Sequence, residues 1–153
     1  MDIQLIQKND IVGLPPFFDI GVAMGDLSVD AGLDTALIIS LFTDRRANAD
    51  DILPDQNSDL RGWWGDSYAD NEGDLIGSRL WELARERDLS SVYLRAKDYI
   101  QEALQWLIDD GVVDQFDVAV SRLRKGVLLY VITIVKPGAP ARQYQFTQFW
   151  SGN

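Results

Sequence analysis

The 153-residue chain contains no cysteine and no histidine. Without cysteine it has no disulfide, no thiolate nucleophile and no cysteinyl zinc site. Without histidine it lacks the side chain that titrates nearest neutral pH and the commonest metal ligand. Ser-His-Asp hydrolysis, Cys-His proteolysis and His-ligated zinc chemistry are therefore excluded. An enzyme built on this sequence would rely on carboxylates, lysine, tyrosine or serine.

Basic residues are also scarce: 14 Lys and Arg stand against 24 Asp and Glu, for a formal net charge of −10. Binding to a nucleic-acid backbone needs a basic face that releases counterions, and docking on anionic lipid needs the same sign of charge. We therefore expect neither nucleic acid nor a membrane as partner. No cofactor is predicted either. A cationic or neutral protein partner is compatible with this charge.

Long apolar runs are missing as well. The longest near the C-terminus, "VLLYVITIV" (127–135), is too short for a membrane-spanning helix, which needs about 20 residues. The N-terminal "MDIQLIQKND" has neither the basic leader nor the apolar core of an export signal. We expect a chain that folds in a cytoplasm, as one domain with its own core.

The pattern of elements predicts a single α+β domain over residues 1–153, with an antiparallel three- to four-stranded sheet packed on one long helix plus shorter helices. The predicted parts are N-terminal strands and loops (1–30), a long acidic Gly/Asp-rich loop (47–77), the main helix (90–110) and an antiparallel meander (114–150). The block "ALIISLF" fits a buried strand or a buried helix; Asp34 as a possible N-cap favours the helix.

The main helix is the clearest element. Its apolar stripe consists of Val92, Ala96, Tyr99, Ile100, Ala103, Leu104 and Leu107. Gly111 can close its end in a left-handed conformation. Asp109 and Asp110 lie at the negative end of the helix dipole, where anions are mildly unfavourable, which hints at a role outside the helix. Before it, "SRLWELARERD" predicts a short helix with Glu82 and Arg85 paired on its outer face.

In the meander, "VLLYVITIV" is apolar on both faces and is predicted to be the central strand. The last strand, 142–150, places Tyr144, Phe146 and Trp150 on one face and is a candidate sheet edge, with Trp150 a candidate contact. Arg122, Arg124 and Lys125 cluster at the first hairpin turn, and Arg142 is expected to join them across the sheet. This cluster is either a solvated tip or a basic knob that meets an acidic neighbour.

The stretch "LRGWWGD" places two adjacent tryptophans between glycines in the acidic loop. Exposed indoles are unfavourable in water, so we expect Gly62 and Gly65 to turn the backbone so that at least one indole is buried in the protein's own core. Insertion into a neighbouring subunit is the alternative, because tryptophan is an anchor residue at interfaces. Trp63, Trp64 and Asp66 are therefore candidate partner-binding residues.

Two other functions fit less well. Asp55, Asn57, Asp59 and Asp66 fall at positions one, three, five and twelve of an EF-hand-like calcium loop. However, Leu60 replaces the turn glycine and Asp66 the longer bidentate glutamate. A calcium-stabilised binding module is thus weakly supported, and no metal site is predicted. A carboxylate-dependent cell-wall glycosidase would use two carboxylates, but no spacing selects a pair from Glu72, Glu82, Glu86 and Glu102.

Four stretches occur in the order "ALIISLFTDRRANADDILPD", "LRGWWGD", "GSRLWEL" and "EALQWLIDDGVVDQFDV". Together they resemble the Mu-like phage baseplate proteins encoded by gene 46, and the resemblance runs from about Leu33 to Trp150. More distantly, the plan is similar to the T-even baseplate wedge and sheath-initiator family, with Leu41, Thr43, Arg45 or Arg46, Pro54 and Gly77 as matching landmarks.

One departure from the sheath-initiator pattern concerns its Glu-Pro-Arg triplet, which contacts the helical core bundle of the wedge. This sequence has "WLIDDGVV" there, so Trp106 matches the aromatic before the triplet while the triplet is missing. Asp109 and Asp110 occupy the neighbourhood, and we hypothesise that they serve a similar end.

The resemblance implies a non-catalytic role in the virion tail baseplate. The expected partners are a J-like wedge protein, the sheath and the central spike and tube proteins. It further implies several copies per baseplate, assembled in the host cytoplasm, and a monomer or weak oligomer when the protein is isolated.

Overall fold

The structure is a computed structural model that describes residues 2–8, 17–24, 26–27, 29–30, 33–54, 58–71, 73–86 and 90–150. The strands are β1 (Asp2–Ile3), β2 (Leu5–Lys8), β3 (Phe17–Ile20), β4 (Val22–Ala23), β5 (Asp26–Leu27), β6 (Val29–Asp30), β7 (Gln115–Arg124), β8 (Val127–Val135) and β9 (Arg142–Phe149). The helices are α1 (Asp34–Phe42), α2 (Ser90–Leu104) and α3 (Trp106–Asp109), with 3-10 turns at Trp64–Tyr68 and Leu80–Leu83. The fold is α+β, and its short N-terminal strands pair as β1–β6, β2–β3 and β4–β5.

The C-terminal meander is confirmed as an antiparallel sheet of three strands, in the order β7-β8-β9. Its strands alternate between a buried and a more exposed face, as period two requires. In one cross-strand row, Val118 stands opposite Ile132 and Ile132 opposite Tyr144, and all three are buried. The predicted central position of β8 is therefore correct, because its inner residues fill the core while its outer ones are half-buried.

The main helix is shorter than predicted. Within 90–110, α2 ends at Leu104 and α3 begins at Trp106, because the backbone tightens around Gln105: its N–H bonds Glu102 O at 3.4 Å, and Ile108 N–H bonds Gln105 O at 3.0 Å. The apolar stripe is buried as predicted. Gly111 closes α3 with φ +69°, and the N–H of Val112 bonds Leu107 O at 2.9 Å.

The block after Leu33 is a helix, as predicted, but Asp34 is its first residue rather than its N-cap. The Asp34 carboxylate accepts a hydrogen bond from Arg142 at 3.4 Å. Arg142 stands opposite Ile134, whereas the hairpin tip begins where Arg124 stands opposite Val127. The expectation that Arg142 joins the basic cluster is therefore wrong, since it lies at the other end of the sheet.

The segment 80–83 is a 3-10 turn, and Glu82 is only 1% exposed, so the predicted outer-face pair with Arg85 is wrong. Glu82 Oε2 instead accepts a hydrogen bond from Tyr99 Oη at 2.8 Å. Burial raises the pKa of Glu82 above its ordinary 4.5, and the nearby charge of Asp51 raises it further. This turn thus presents a carboxyl to the core instead of to solvent.

The N-terminal strands close part of the sheet edge. The Gln7 amide donates to Thr147 O at 2.7 Å and accepts from Thr147 N–H at 3.0 Å, so one side chain satisfies both outward backbone groups of that residue. Leu5 N–H bonds Thr35 Oγ1 at 3.1 Å, which attaches β2 to α1. Pro15 and Pro16, in the segment 1–30 that was predicted to form strands and loops, lie outside the described residues.

Candidate partner-binding groove

A close backbone contact fixes the acidic loop to the end of α1. Ser78 N–H bonds Thr43 O at 2.9 Å, and Arg45 N–H bonds Ser78 O at 3.0 Å, which forms a parallel bridge between Asp44 and Ser78. Gly77 makes the approach possible: its φ is +93°, and a Cβ there would lie 2.3 Å from Thr43 O. The landmarks Thr43 and Gly77 therefore meet in a single backbone clamp.

A second attachment holds the beginning of the loop. Trp81 Nε1 donates to Arg45 O at 2.9 Å, and the Arg61 guanidinium lies 4.3 Å from the centroid of the Trp81 ring. Trp81 also packs with Ala47 and Leu53 in a small apolar cluster. The loop is thus anchored before the aromatic turn through Arg61 and after it through Ser78.

Beside this clamp lies an open groove of about 1780 Å³. Its walls come from the outward face of α1, loop residues within 63–70 and 73–77, the end of α2 and α3. The lining residues include Ile39, Ser40, Arg45, Trp63, Trp64, Asp66, Tyr68, Asp70, Asp74, Glu102, Trp106, Asp109 and Asp110. Five residues predicted separately as candidates, Trp63, Trp64, Asp66, Asp109 and Asp110, therefore come together on one surface.

The two tryptophans are not buried in the core. Trp63 is 44% exposed and Trp64 is 74% exposed, so the expectation that at least one is buried at home is wrong. The Trp63 ring folds over Gly65, where a Cβ would lie 2.1 Å from its Cζ3 atom. Its centroid is 5.5 Å from that of Trp64, and the Trp64 centroid is 6.1 Å from that of Tyr68. The glycines allow the rings to pack on one another at the surface.

Asp66 has an internal role in this loop. Its Oδ1 accepts the N–H of Ile76 at 3.2 Å, across the turn that returns to the clamp. Its Oδ2 is buried and has no hydrogen-bond partner among the described residues. Asp66 therefore positions the aromatic turn more than it presents a charge to solvent.

Another wall is formed by α3. Trp106 is 37% exposed, and its Nε1 donates to Ser40 Oγ at 3.1 Å. Asp109 and Asp110 follow three and four residues later, so they share the Trp106 side of the helix. Trp106 was not predicted to be a site residue. It is a large apolar residue that lies off the buried stripe of the predicted main helix, and this position is the sequence signal that could have identified it.

The groove is strongly acidic. Among the described residues that line it, six are carboxylates (Asp66, Asp70, Asp74, Glu102, Asp109 and Asp110), and Arg45 is the single cation. Glu102 is already paired with Arg79 Nε at 3.0 Å. The electrostatic potential of the groove therefore favours a cation.

The remaining predicted contacts lie elsewhere. Arg122, Arg124 and Lys125 are exposed at the β7–β8 tip and do not line the groove. Trp150 is 3% exposed and donates its Nε1 to Leu83 O at 3.1 Å, so it belongs to the core and we remove it from the candidate surface. Its ring also contacts Tyr93 in the first turn of α2. The N–H of Trp150 bonds Gly126 O at 2.7 Å, so the basic tip lies near the start of α2, whereas the groove lies at its end.

The alternative functions gain no support from the geometry. Within the described residues, no three Asp or Glu side chains are grouped to hold a metal, and Asp55 and Asn57 lie outside those residues. Of the glycosidase candidates, Glu82 is buried against Tyr99, Glu86 pairs with Arg95 and Glu102 with Arg79. Glu72 lies outside the described residues. No helix of the described part is long and apolar enough to cross a membrane.

Exposed aromatic rings held by a rigid clamp in a charged groove are typical of protein-binding surfaces. The comparisons with known proteins identify the family. The family model described as phage protein GP46 matches residues 33–141. The chain belongs to this family.

Two curated relatives cover most of the chain. The chain is 43% identical over 127 residues to the baseplate protein gp46 of Escherichia phage Mu, and the aligned region covers 83% of this chain and 86% of that protein. The chain is 40% identical over 133 residues to the Mu-like prophage FluMu protein gp46 of Haemophilus influenzae, and the aligned region covers 87% of this chain and 90% of that protein. The resemblance to Mu-like gene 46 products is thus confirmed.

Proposed function

We propose that the chain is a structural, non-enzymatic component of the baseplate wedge in a contractile phage or prophage tail. In this role it contacts a J-like wedge protein and the base of the sheath and tube, beside the central spike. The family and the names of its relatives support the baseplate role. We choose the groove as the binding surface because Trp63, Trp64 and Trp106 are exposed to solvent there.

The aromatic surface is suited to a lasting contact. The clamp at Gly77 and the Asp66–Ile76 hydrogen bond hold the loop in place before a partner arrives, which reduces the ordering entropy lost on binding. Tryptophan and tyrosine are enriched among the residues that dominate interface energies. We therefore assign the groove to the J-like wedge protein.

The arrangement of charges is suited to two neighbours. The 15 residues of α2 correspond to about 22 Å along the helix axis, and the groove and the basic tip lie at its opposite ends. The acidic groove and the basic tip (Arg122, Arg124 and Lys125) therefore present opposite charges to different directions. A subunit of this kind can connect the J-like protein to an acidic surface of the sheath or tube.

The test is co-expression with the J-like wedge protein of the same phage, followed by size-exclusion chromatography and pull-down. We expect a stable complex with the wild-type chain and one at least tenfold weaker with Trp64→Ala, because a truncated interface anchor costs about 2 kcal/mol or more. Asp109→Asn/Asp110→Asn is measured in the same way, to separate the contribution of the acidic residues from that of the aromatic ones.

The matched control for the tryptophan is Leu94→Ala, since Leu94 is 65% exposed on α2 and does not line the groove. Circular dichroism of each isolated variant establishes that the fold is intact. A complex that forms equally well with Trp64→Ala and with the wild type would refute the assignment of the groove.

A further inference from the structure

We infer that the groove binds a protein segment in which an arginine side chain lies next to an apolar side chain. Asp109 and Asp110 select the positive charge of this arginine, and the aromatic rings of the groove stack on its guanidinium. This inference rests on the proposed function and names the chemistry of the partner at the same site. Its basis is that exposed indoles and exposed carboxylates line the same groove.

Asp109 is the last residue of α3 and Asp110 follows it, and both are exposed. A cation bound there would be stabilised by both carboxylates. The Gln105 amide donates to Asp109 Oδ1 at 2.9 Å, which holds this carboxylate in a fixed orientation beside Trp106.

Trp64 and Tyr68 belong to the aromatic wall of the groove. They are 74% and 80% exposed, so their rings are accessible to a ligand. A planar guanidinium stacks on indole and phenol rings while its N–H groups remain available to carboxylates, which a compact ammonium does less well. Arginine is accordingly favoured over lysine.

The protein already uses the same pairing internally. The Arg79 guanidinium lies 4.5 Å from the centroid of the Tyr99 ring while its Nε donates to Glu102 at 3.0 Å. The groove repeats these two ingredients, with an aromatic face and a carboxylate, and in it they face solvent. An apolar anchor beside the arginine would contact Ile39, which is 38% exposed on the α1 wall.

The test uses a short blocked peptide of alternating leucine and arginine, titrated into the isolated full-length chain by calorimetry. The matched peptide carries citrulline, which keeps the shape of arginine but is neutral. We expect the citrulline peptide to bind at least tenfold more weakly, and Asp109→Asn/Asp110→Asn to weaken binding of the arginine peptide to a similar extent.

Asp98→Asn/Asp117→Asn is the control variant, because it removes two exposed carboxylates outside the groove and changes the net charge equally. Equal binding of the two peptides, or equal loss in both double variants, would overturn the inference, since attraction would then be diffuse. Sedimentation of the chain alone tests another occupant. The chain could self-associate, fail to bind the peptide, and lose its self-association in Arg122→Glu/Arg124→Glu. That result would assign the groove to the basic tip of a second copy and would also overturn the inference.

The two proposals fail separately. A J-like complex that is sensitive to Trp64→Ala but indifferent to Asp109→Asn/Asp110→Asn would leave the proposed function standing and refute the arginine inference. A J-like complex that is indifferent to both variants would refute the proposed function at this groove.

Discussion

Replacing Gly77 with alanine tests the backbone clamp that positions the groove. At this residue φ is +93°, and the added Cβ would lie 2.3 Å from Thr43 O and 2.8 Å from Thr43 C. Because both atoms belong to the backbone, the clash cannot be relieved by rotating a side chain. The chain must move apart where Ser78 and Arg45 form their hydrogen bonds.

Gly73→Ala provides a matched control. Its φ of +88° is nearly the same, but an added Cβ would meet nothing within 4 Å. Both variants therefore share the backbone strain of a left-handed alanine, about 1–3 kcal/mol. Gly77→Ala should additionally leave buried backbone groups unsatisfied, at about 1–3 kcal/mol each. We expect the free energy of unfolding to fall by about 2–4 kcal/mol more in Gly77→Ala than in Gly73→Ala.

Urea denaturation followed by tryptophan fluorescence and circular dichroism measures this difference. With a slope of about 2 kcal/mol per molar urea, the two midpoints should differ by at least about 1 M. Gly77→Ala should also weaken the J-like complex, because the loop that carries Trp63 and Trp64 is attached through this clamp. Equal midpoints for the two variants would refute the close-approach argument.

Three further predictions concern other parts of the structure. Burial raises the pKa of Glu82 in the folded protein. Its contribution to stability is therefore fully present below pH 4.5 and is lost as the pH rises through this raised pKa. The free energy of unfolding of Glu82→Gln, measured against pH, should not show this loss. Burial also acts to raise the pKa of Asp51, but hydrogen bonds from Asn48 N–H and Arg79 outweigh it and lower the pKa below 3.8. Its contribution is therefore present above pH 3.8 and lost as pH falls, and Asp51→Asn should remove that acid-side loss. Gln7→Ala should destabilise the chain by about 1–2 kcal/mol and accelerate amide hydrogen exchange at Thr147, whereas an unchanged exchange rate would contradict the edge-capping role.

The regular elements were predictable because their signals are local. The helical stripe from Val92 to Leu107 and the alternation of Tyr144 and Phe146 both report which side of an element is buried. Each pattern follows from the geometry of one helix or one strand. The Gly111 end of the helix was predictable for the same reason, since only neighbouring residues form that cap.

The errors arose where burial is set by distant residues. Glu82 has the sequence neighbourhood of a surface glutamate, but Tyr99 provides a partner inside the core. Tryptophan is a residue type expected in the core, but the clamp between Thr43 and Ser78 holds the loop of Trp63 and Trp64 beside a groove, where both side chains are exposed. No spacing within the loop reports either contact.

By itself, the sequence determined the family, the α+β class, the central strand and the residue types available for binding. It also excluded cysteine and histidine chemistry, since those side chains are not present. Only the tertiary structure decided that Trp63, Trp64, Trp106, Asp109 and Asp110 share one groove while Trp150 belongs to the core. The physical reason is that local periodicity fixes the faces of an element, whereas the closing of a long irregular loop depends on contacts between residues far apart in the chain.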